Sequence, residues 1–363
     1  MLGRTKTALF TASLLLFTGT SIFSIAKANT FQDQTAEEAA TLNNQAIRLA
    51  KNHKEQEAIE LLKRAIELRP EVAAIYANLG KIYQGRNEFE LAIGSFSQVL
   101  RLSPNSTDVL HQLGFCHSKI NQYSAAADYY TRALQLKPDL ADTLAELGFV
   151  YARQGRLDEA IQSFQKSLRI KPNEAAVYNN LGVAYFELHQ FGDAVQALKQ
   201  ALSLDPSMID VYYHLGSVYV EAGRVEEAIS TYEQALRIKP DYADVLNNLG
   251  LVYTTRGNFQ RSIELLQRAT QLKPGVAVMY YNLGYALHES GHLKKAIEAY
   301  KQALQFDPEL AGAHKSLAIA YLQRGQRSLA LDEYSLLKLI DYEQAQKLFL
   351  LIYRDKILKV ESK

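Results

Sequence analysis

From residue 39 to residue 344 the hydrophobic and polar positions recur with a period of 34. Counted from position 1, the periods begin at residues 39, 73, 107, 141, 175, 209, 243, 277 and 311. Position 7 is leucine in eight of the nine, from Leu79 to Leu317. Position 8 is small: Gly80, Gly114, Gly148, Gly182, Gly216, Gly250 and Gly284, with Ala46 and Ala318 at the ends. Position 20 is alanine from Ala58 to Ala330, except for Ser262. Position 24 is bulky throughout, reading Leu62, Phe96, Tyr130, Phe164, Leu198, Tyr232, Leu266, Tyr300 and Tyr334. Positions 4, 7, 8 and 11 share one face of a helix, and positions 20 and 24 share one face of another. The pattern predicts two helices per period and an all-α fold. Small residues at 8 and 20 let the pair cross closely, and the bulky ones fill the space around the crossing.

The breaks fall at fixed positions too. All eight prolines stand at position 32, from Pro70 to Pro308, each 34 residues after the last. They prevent the second helix from running on. Gly155, Gly223, Gly257, Gly291 and Gly325 stand at position 15, where the first helix should end and the chain turn. Lys137, Lys171, Lys239 and Lys273 precede prolines and complement the C-terminal end of the second helix. A period in this range marks a stacked-repeat architecture, which grows by adding units rather than by enlarging one core.

These residues are the ground for a resemblance: over 39–344 the chain resembles a tetratricopeptide-repeat (TPR) protein. The resemblance implies a right-handed superhelical solenoid. Its first helices would line a concave groove, with positions 2, 5, 6, 9, 12 and 13 facing it, and its activity would be binding rather than catalysis. Departures are few. Tyrosine or leucine replaces tryptophan at position 4 in the first eight periods, His117 stands at position 11, and Tyr342 replaces the ninth proline. The basic clamp by which chaperone-binding members hold a terminal carboxylate is missing. Position 5 has lysine only at Lys315, and position 6 has no lysine or arginine.

The ends differ from the array. Arg4 and Lys6 precede an uncharged stretch from Ala8 to Ile25, followed by Ala26-Lys27-Ala28. This layout predicts a secretory signal peptide over 1–28. The alternative is a membrane anchor through residues 8–25, against which Gly19 and the six Ser/Thr residues argue. Residues 29–38 form a lead-in, with Thr35 and Glu38 spaced as a capping box. Residues 345–363 are expected to form a capping helix over the last repeat. Their broad apolar run from Leu348 to Tyr353 leaves a homodimer contact open. Localisation is expected to be a periplasm or equivalent lumen, with or without a membrane tether.

Composition narrows the partners. Forty basic and 39 acidic residues give a net charge of +1, so no global field favours nucleic acid. Removal of residues 1–28 takes away Arg4, Lys6 and Lys27 and no acid, giving +1 − 3 = −2. Cys116 is the lone cysteine, so an intramolecular disulfide is impossible. No cofactor and no enzymatic activity is expected.

Candidate chemistry lies in the groove positions. Position 6 carries Asn44, Asn78, Asn180, Asn248 and Asn282, and an amide both donates and accepts as a peptide group does. Such a row would hold an extended backbone without demanding a sequence; bonding between neighbouring repeats is the other use it could have. In repeats 5–8 the groove also holds Asn179, Asn247, Tyr213, His214 and Tyr281, with Glu187, Asp210, Glu221, Asp244 and Glu289 and no lysine or arginine. These five acids read as unopposed and predict basic peptide partners, aided by stacking on Tyr213 and Tyr281. The function expected is a scaffold or assembly factor that binds peptide segments of other proteins. The alternative is a membrane-tethered structural component of a secretion or polysaccharide-export complex. His288-Glu289-Ser290-Gly291-His292 matches H-E-x-x-H, but Gly291 at position 15 should break the helix that a zinc site needs. Asn105-Ser106-Thr107 matches a glycosylation acceptor, meaningful only in a eukaryotic secretory pathway.

Overall fold

The computed structural model describes residues 33–361, without the side chains of 354–361. The expectations for residues 1–28, signal or anchor, lie outside these residues. No helix among the described residues is long and apolar enough to cross a membrane. The described chain is helical throughout, with no strand. Helix α1 spans 33–51 and α2 Glu55–Leu68. From there first helices of 13 residues alternate with second helices of 14. The first helices are α3 (Ala73–Gly85), α5 (Thr107–Lys119), α7 (Ala141–Arg153), α9 (Ala175–Glu187), α11 (Ile209–Glu221), α13 (Ala243–Thr255), α15 (Ala277–Glu289) and α17 (Ala311–Gln323). The second helices are α4 (Phe89–Leu102), α6 (Tyr123–Leu136), α8 (Leu157–Ile170), α10 (Phe191–Leu204), α12 (Val225–Ile238), α14 (Phe259–Leu272), α16 (Leu293–Phe306) and α18 (Arg327–Ile340). Helix α19 (Tyr342–Glu361) follows.

The described residues form two compact units, which divide between Pro172 and Asn173. Each contains its own apolar seam, built from buried residues at the repeating positions. In α8, for example, Ala160, Ile161, Phe164, Ser167 and Leu168 are buried, the i, i+3/i+4, i+7 stripe of an amphipathic helix. First helices touch the first helix of the next period, as α5 touches α7 in one unit and as α9, α11, α13, α15 and α17 do in series in the other. Second helices meet the first helices on either side rather than one another. Each unit therefore presents a continuous face of first helices.

The crossing within a period differs in detail from the sequence expectation. A Cβ placed on Gly114 would lie 2.6 Å from Tyr130, and one on Gly284 the same distance from Tyr300. The glycine at position 8 thus makes room chiefly for the side chain at position 24. Position 20 contributes its backbone carbonyl, as where Ala160 O would lie 3.1 Å from a Cβ on Gly148. Ser262, the exception at position 20, is fully buried, and its hydroxyl pairs with that of Thr254 at 2.6 Å. The polar intruder is therefore satisfied.

The turn at position 15 is left-handed in every period. Glycines hold it five times, with φ between +71° at Gly223 and +82° at Gly291. His53, Asn87, Asn121 and His189 hold it in the other four, with φ between 56° and 61°. Each turn is locked by a backbone bond from position 16 to position 11, such as Arg156 N–H to Tyr151 O at 2.9 Å. This is the Schellman arrangement that ends helices.

Two terminal expectations change. The chain is already helical at residue 33, so Thr35 lies inside α1 and does not cap it. The last helix starts at Tyr342 rather than 345, because the Asp341 carboxylate accepts from the Gln344 backbone N–H at 2.9 Å and its side-chain amide at 2.8 Å. Helix α19 packs on α17 and α18 and buries Ala345, Leu348 and Ile352. Leu339, Tyr342, Leu350 and Leu351 stay exposed.

Candidate functional site

Part of the asparagine row bonds one period to the next. Asn78 Nδ2 donates to Asn43 Oδ1 at 2.8 Å and Asn282 Nδ2 to Asn247 Oδ1 at 2.9 Å. His214 Nδ1 meets Asn179 Oδ1 at 2.9 Å. Each pair joins position 5 of one period to position 6 of the next, 35 residues on. Asn247 passes the chain to Asn248 at 3.1 Å. Asn247 and Asn282 are buried, at 8% and 7% exposure, so these two amides are committed to the frame. Asn44 is exposed, and Asn180 and Asn248 are half-buried on the first-helix face.

The five acids do not behave alike. Asp244 is paired: Lys273 Nζ lies 2.6 Å from its carboxylate. Lys171 meets Asp142 in the same way at 2.7 Å. These lysines reach back 29 residues to the first helix of their own period instead of serving only their own helix end. Asp210 accepts a hydrogen bond from Tyr242 Oη at 2.7 Å. Glu187, Glu221 and Glu289, all at position 13, are exposed and make no ion pair among the described residues. Among the described residues, then, only Asp244 of the five has an internal cation; Asp210 is held by a neutral phenol, and the three glutamates have neither.

Aromatic rings cluster on and beneath the first helices of this unit. Tyr213 stacks at a tilt on Tyr242 with centroids 6.2 Å apart and meets His214 edge-on at 5.6 Å. Tyr281 lies 6.0 Å from Tyr300, and His288 meets Tyr300 edge-on at 6.4 Å. Tyr232, under the face, shares a 3.1 Å hydrogen bond with Ser217 and accepts from Asn248 Nδ2 at 3.5 Å. Burial holds the His214 imidazole below its ordinary pKa, opposed by Asp210, so it is neutral in this network.

In the N-terminal unit the same face has another character. His111 Nδ1 meets Thr143 Oγ1 at 2.9 Å, and burial lowers its pKa against the pull of Asp142 and Asp108. Glu146, at position 6, is half-buried, and burial raises its carboxyl pKa. A cleft of about 650 Å³ opens here between α3, α5 and α7, lined among others by Ala77, Lys81, Asp108, His111 and Asp142. Its width comes from Ala73, Ala74 and Ala77, three small side chains on α3. Sequence reading missed this cleft; the signal was present at position 5, where Ala77 stands and five other periods carry asparagine or tyrosine, and at position 2, where Ala74 stands and four others carry aspartate.

His288 and His292 are separated as the turn requires. His288 sits in the last turn of α15, Gly291 has φ +82°, and His292 precedes α16, its Nδ1 bonded to Ser290. No cluster of His, Cys, Asp and Glu suited to a metal exists among the described residues. Cys116 is buried, which pushes its thiol pKa up to about 11.

One profile, described as the tetratricopeptide repeat, matches residues 43–107, and another, that of the cilia and flagella-associated protein 70 C-terminal domain, matches 104–322, more than half the chain. The chain belongs to the tetratricopeptide-repeat family. Solved TPR structures share its fold. A tetratricopeptide repeat protein from Parabacteroides merdae is 17% identical with TM-score 0.57, over 68% of this chain and 98% of that one. The anaphase-promoting-complex hetero-tetramer Cut9–Hcn1 is 20% identical with TM-score 0.55, over 82% of this chain but only 59% of that one. MamA is 29% identical with TM-score 0.43, over 47% of this chain and 93% of that one. No curated protein matches the sequence. The TPR family is one of non-enzymatic protein-interaction scaffolds, and this chain has that architecture.

Proposed function

We propose that the protein is an exported scaffold or assembly factor that holds peptide segments of other proteins on its first-helix face. One observation carries the reading: Glu187, Glu221 and Glu289 stand exposed on that face without an ion-pair partner among the described residues. Charges left unneutralised on a preformed surface favour a partner of opposite sign. The half-buried amides of Asn180 and Asn248 would supply backbone-matching hydrogen bonds beside them. In this reading nine repeats fill 39–344 and α19 caps the array. Export rests on residues 1–28, and sequencing the mature N-terminus tests it.

The binding test must avoid Asn282, whose loss would disturb the frame. The triple variant Glu187→Gln, Glu221→Gln, Glu289→Gln keeps side-chain size and removes the charge. Partners are crosslinked in the native compartment by wild type and variant, and the crosslinked peptides are mapped. The reading expects lysine- or arginine-bearing segments on the first helices of wild type and a severalfold lower yield from the variant. Equal yields, or crosslinks confined to second helices, would sink it.

A further inference from the structure

The α15 face gives the reading a specific form. Tyr281, Tyr285, His288 and Glu289 stand at positions 5, 9, 12 and 13, one to two turns apart on the same helix. Tyr300 closes the cluster from below, fully buried, 6.0 Å from Tyr281 and 6.4 Å from His288. Its hydroxyl lies near Ser316 but finds no partner at hydrogen-bonding geometry. Gly312 of the next period leaves open the space beside Tyr281, where a Cβ would lie 3.4 Å from the ring's Cζ. Tyr281, Tyr285 and His288 are half-buried, and Glu289 is exposed at the rim.

The chain itself shows how such a face takes a cation. On α5 the residues at positions 9 and 13 are Phe115 and Lys119, and Lys119 Nζ lies 4.9 Å from the Phe115 ring centroid. On α15 the ring is Tyr285 and position 13 is the opposite charge, Glu289. Among the described residues no lysine or arginine lies over Tyr281, Tyr285 or Tyr300, and none pairs with Glu289. Lys315, at position 5 of α17, makes neither kind of contact. The Glu289 charge is felt by both neighbouring phenols: after burial, it is a cause that holds Tyr285 and Tyr300 above their ordinary pKa. Tyr281 and Tyr285 offer electron-rich faces beside a carboxylate, over the buried Tyr300 as floor, and these are the two elements that recognise an organic cation.

We propose that Tyr281, Tyr285, His288 and Tyr300, with Glu289, form a subsite that takes one cationic side chain, lysine or arginine, of the bound segment. Glu289 supplies the opposite charge and the first hydrogen-bond acceptor, and Tyr285 and Tyr281 cover the apolar stem and the cation's flank. This inference rests on the peptide-binding reading and names the residue that reading would select.

The test uses a random dodecapeptide display library selected on the full-length protein and on its Glu289→Gln and Tyr285→Leu variants, each checked for an unchanged helical spectrum. A winning peptide is resynthesised with norleucine at its basic position. The proposal expects wild type to enrich peptides with a basic residue at one fixed position. Norleucine there should weaken binding about tenfold, and that penalty should shrink to about twofold or less on either variant. Peptides enriched without a basic position, or a norleucine penalty the same on all three proteins, would overturn the subsite and leave groove binding standing. A library that yields no binder on wild type would overturn both.

Discussion

Helices α5 and α15 occupy equivalent places in the two units and differ where they face outward. Beneath each lies a position-24 tyrosine, Tyr130 or Tyr300, fully buried over a position-8 glycine. Above, α5 carries Phe115 with Lys119 across its ring, and α15 carries Tyr285 with Glu289. One face satisfies its own ring with its own cation; the other presents a ring and an acid. The frame that sets the fold is thus separable from the few side chains that set recognition.

The widest test of that separation is to damage the frame on both sides. Gly114→Ala and Gly284→Ala each put a methyl 2.6 Å from a buried tyrosine. Overpacking of this kind costs about 1–3 kcal/mol. Urea unfolding should show similar losses for the two, whereas a loss at one site alone would mean that the frames are not equivalent. Exchanging the outward charge comes next. Glu289→Lys should place a lysine over Tyr285 as Lys119 lies over Phe115, and reduce affinity for a lysine-bearing selected peptide about tenfold, or about 1.4 kcal/mol. Isothermal titration checks it, and unchanged affinity would refute the charge assignment.

A pH difference between the units is smaller and has a definite sign. His314, 4% exposed in α17, bonds Glu333 through Nδ1 at 2.6 Å and the Pro308 carbonyl through Nε2 at 2.9 Å. Both partners are acceptors, so both nitrogens must donate and the ring is an imidazolium. The hydrogen bond to Glu333, opposed by burial, raises its pKa. The stability it contributes is fully present below the unfolded value near 6.5 and is lost as pH rises through the raised folded value. His111 is the reverse: burial lowers its pKa, so its contribution is present above the unfolded value and is lost as pH falls through the lowered one. Denaturation midpoints of His314→Gln and wild type should therefore converge on going from pH 6 to pH 8. A constant gap would show that His314 acts by packing alone. The mildest change is Lys119→Met, which removes an exposed cation–π contact and should cost about 0.5 kcal/mol. A thermal midpoint unchanged within error would remove the contact's role as the counterpart to α15.

Much of the frame was legible because it is periodic. The 34-residue spacing gave the helix pairs, the small residues at position 8 gave the close crossing, and Gly291 dissolved the apparent zinc motif. The rest depends on partners that a single period does not contain. Asn282 reads as a ligand-facing amide until Asn247, 35 residues back, is placed against it. Lys273 reads as a helix-end charge until it reaches Asp244. His53, Asn87, Asn121 and His189 give no glycine signal for the left-handed turn they make, because histidine and asparagine tolerate that backbone at a modest cost. The α15 cluster was half visible: Tyr281 and Glu289 stood out as groove residues, but the buried Tyr300 beneath them read only as core.

Within each unit a helix touches its neighbours in sequence and, for first helices, the first helix of the adjoining period. A unit joined this way would deform by sharing strain among its helix contacts. Bending or stretching would be shared out as small rotations at many interfaces, none of which needs to break. A partner held along several first helices would resist such stretching, so occupancy would be readable as stiffness. Pulled from its ends, the protein would give way one helix pair at a time, and a bound segment would show as the pairs that give way last.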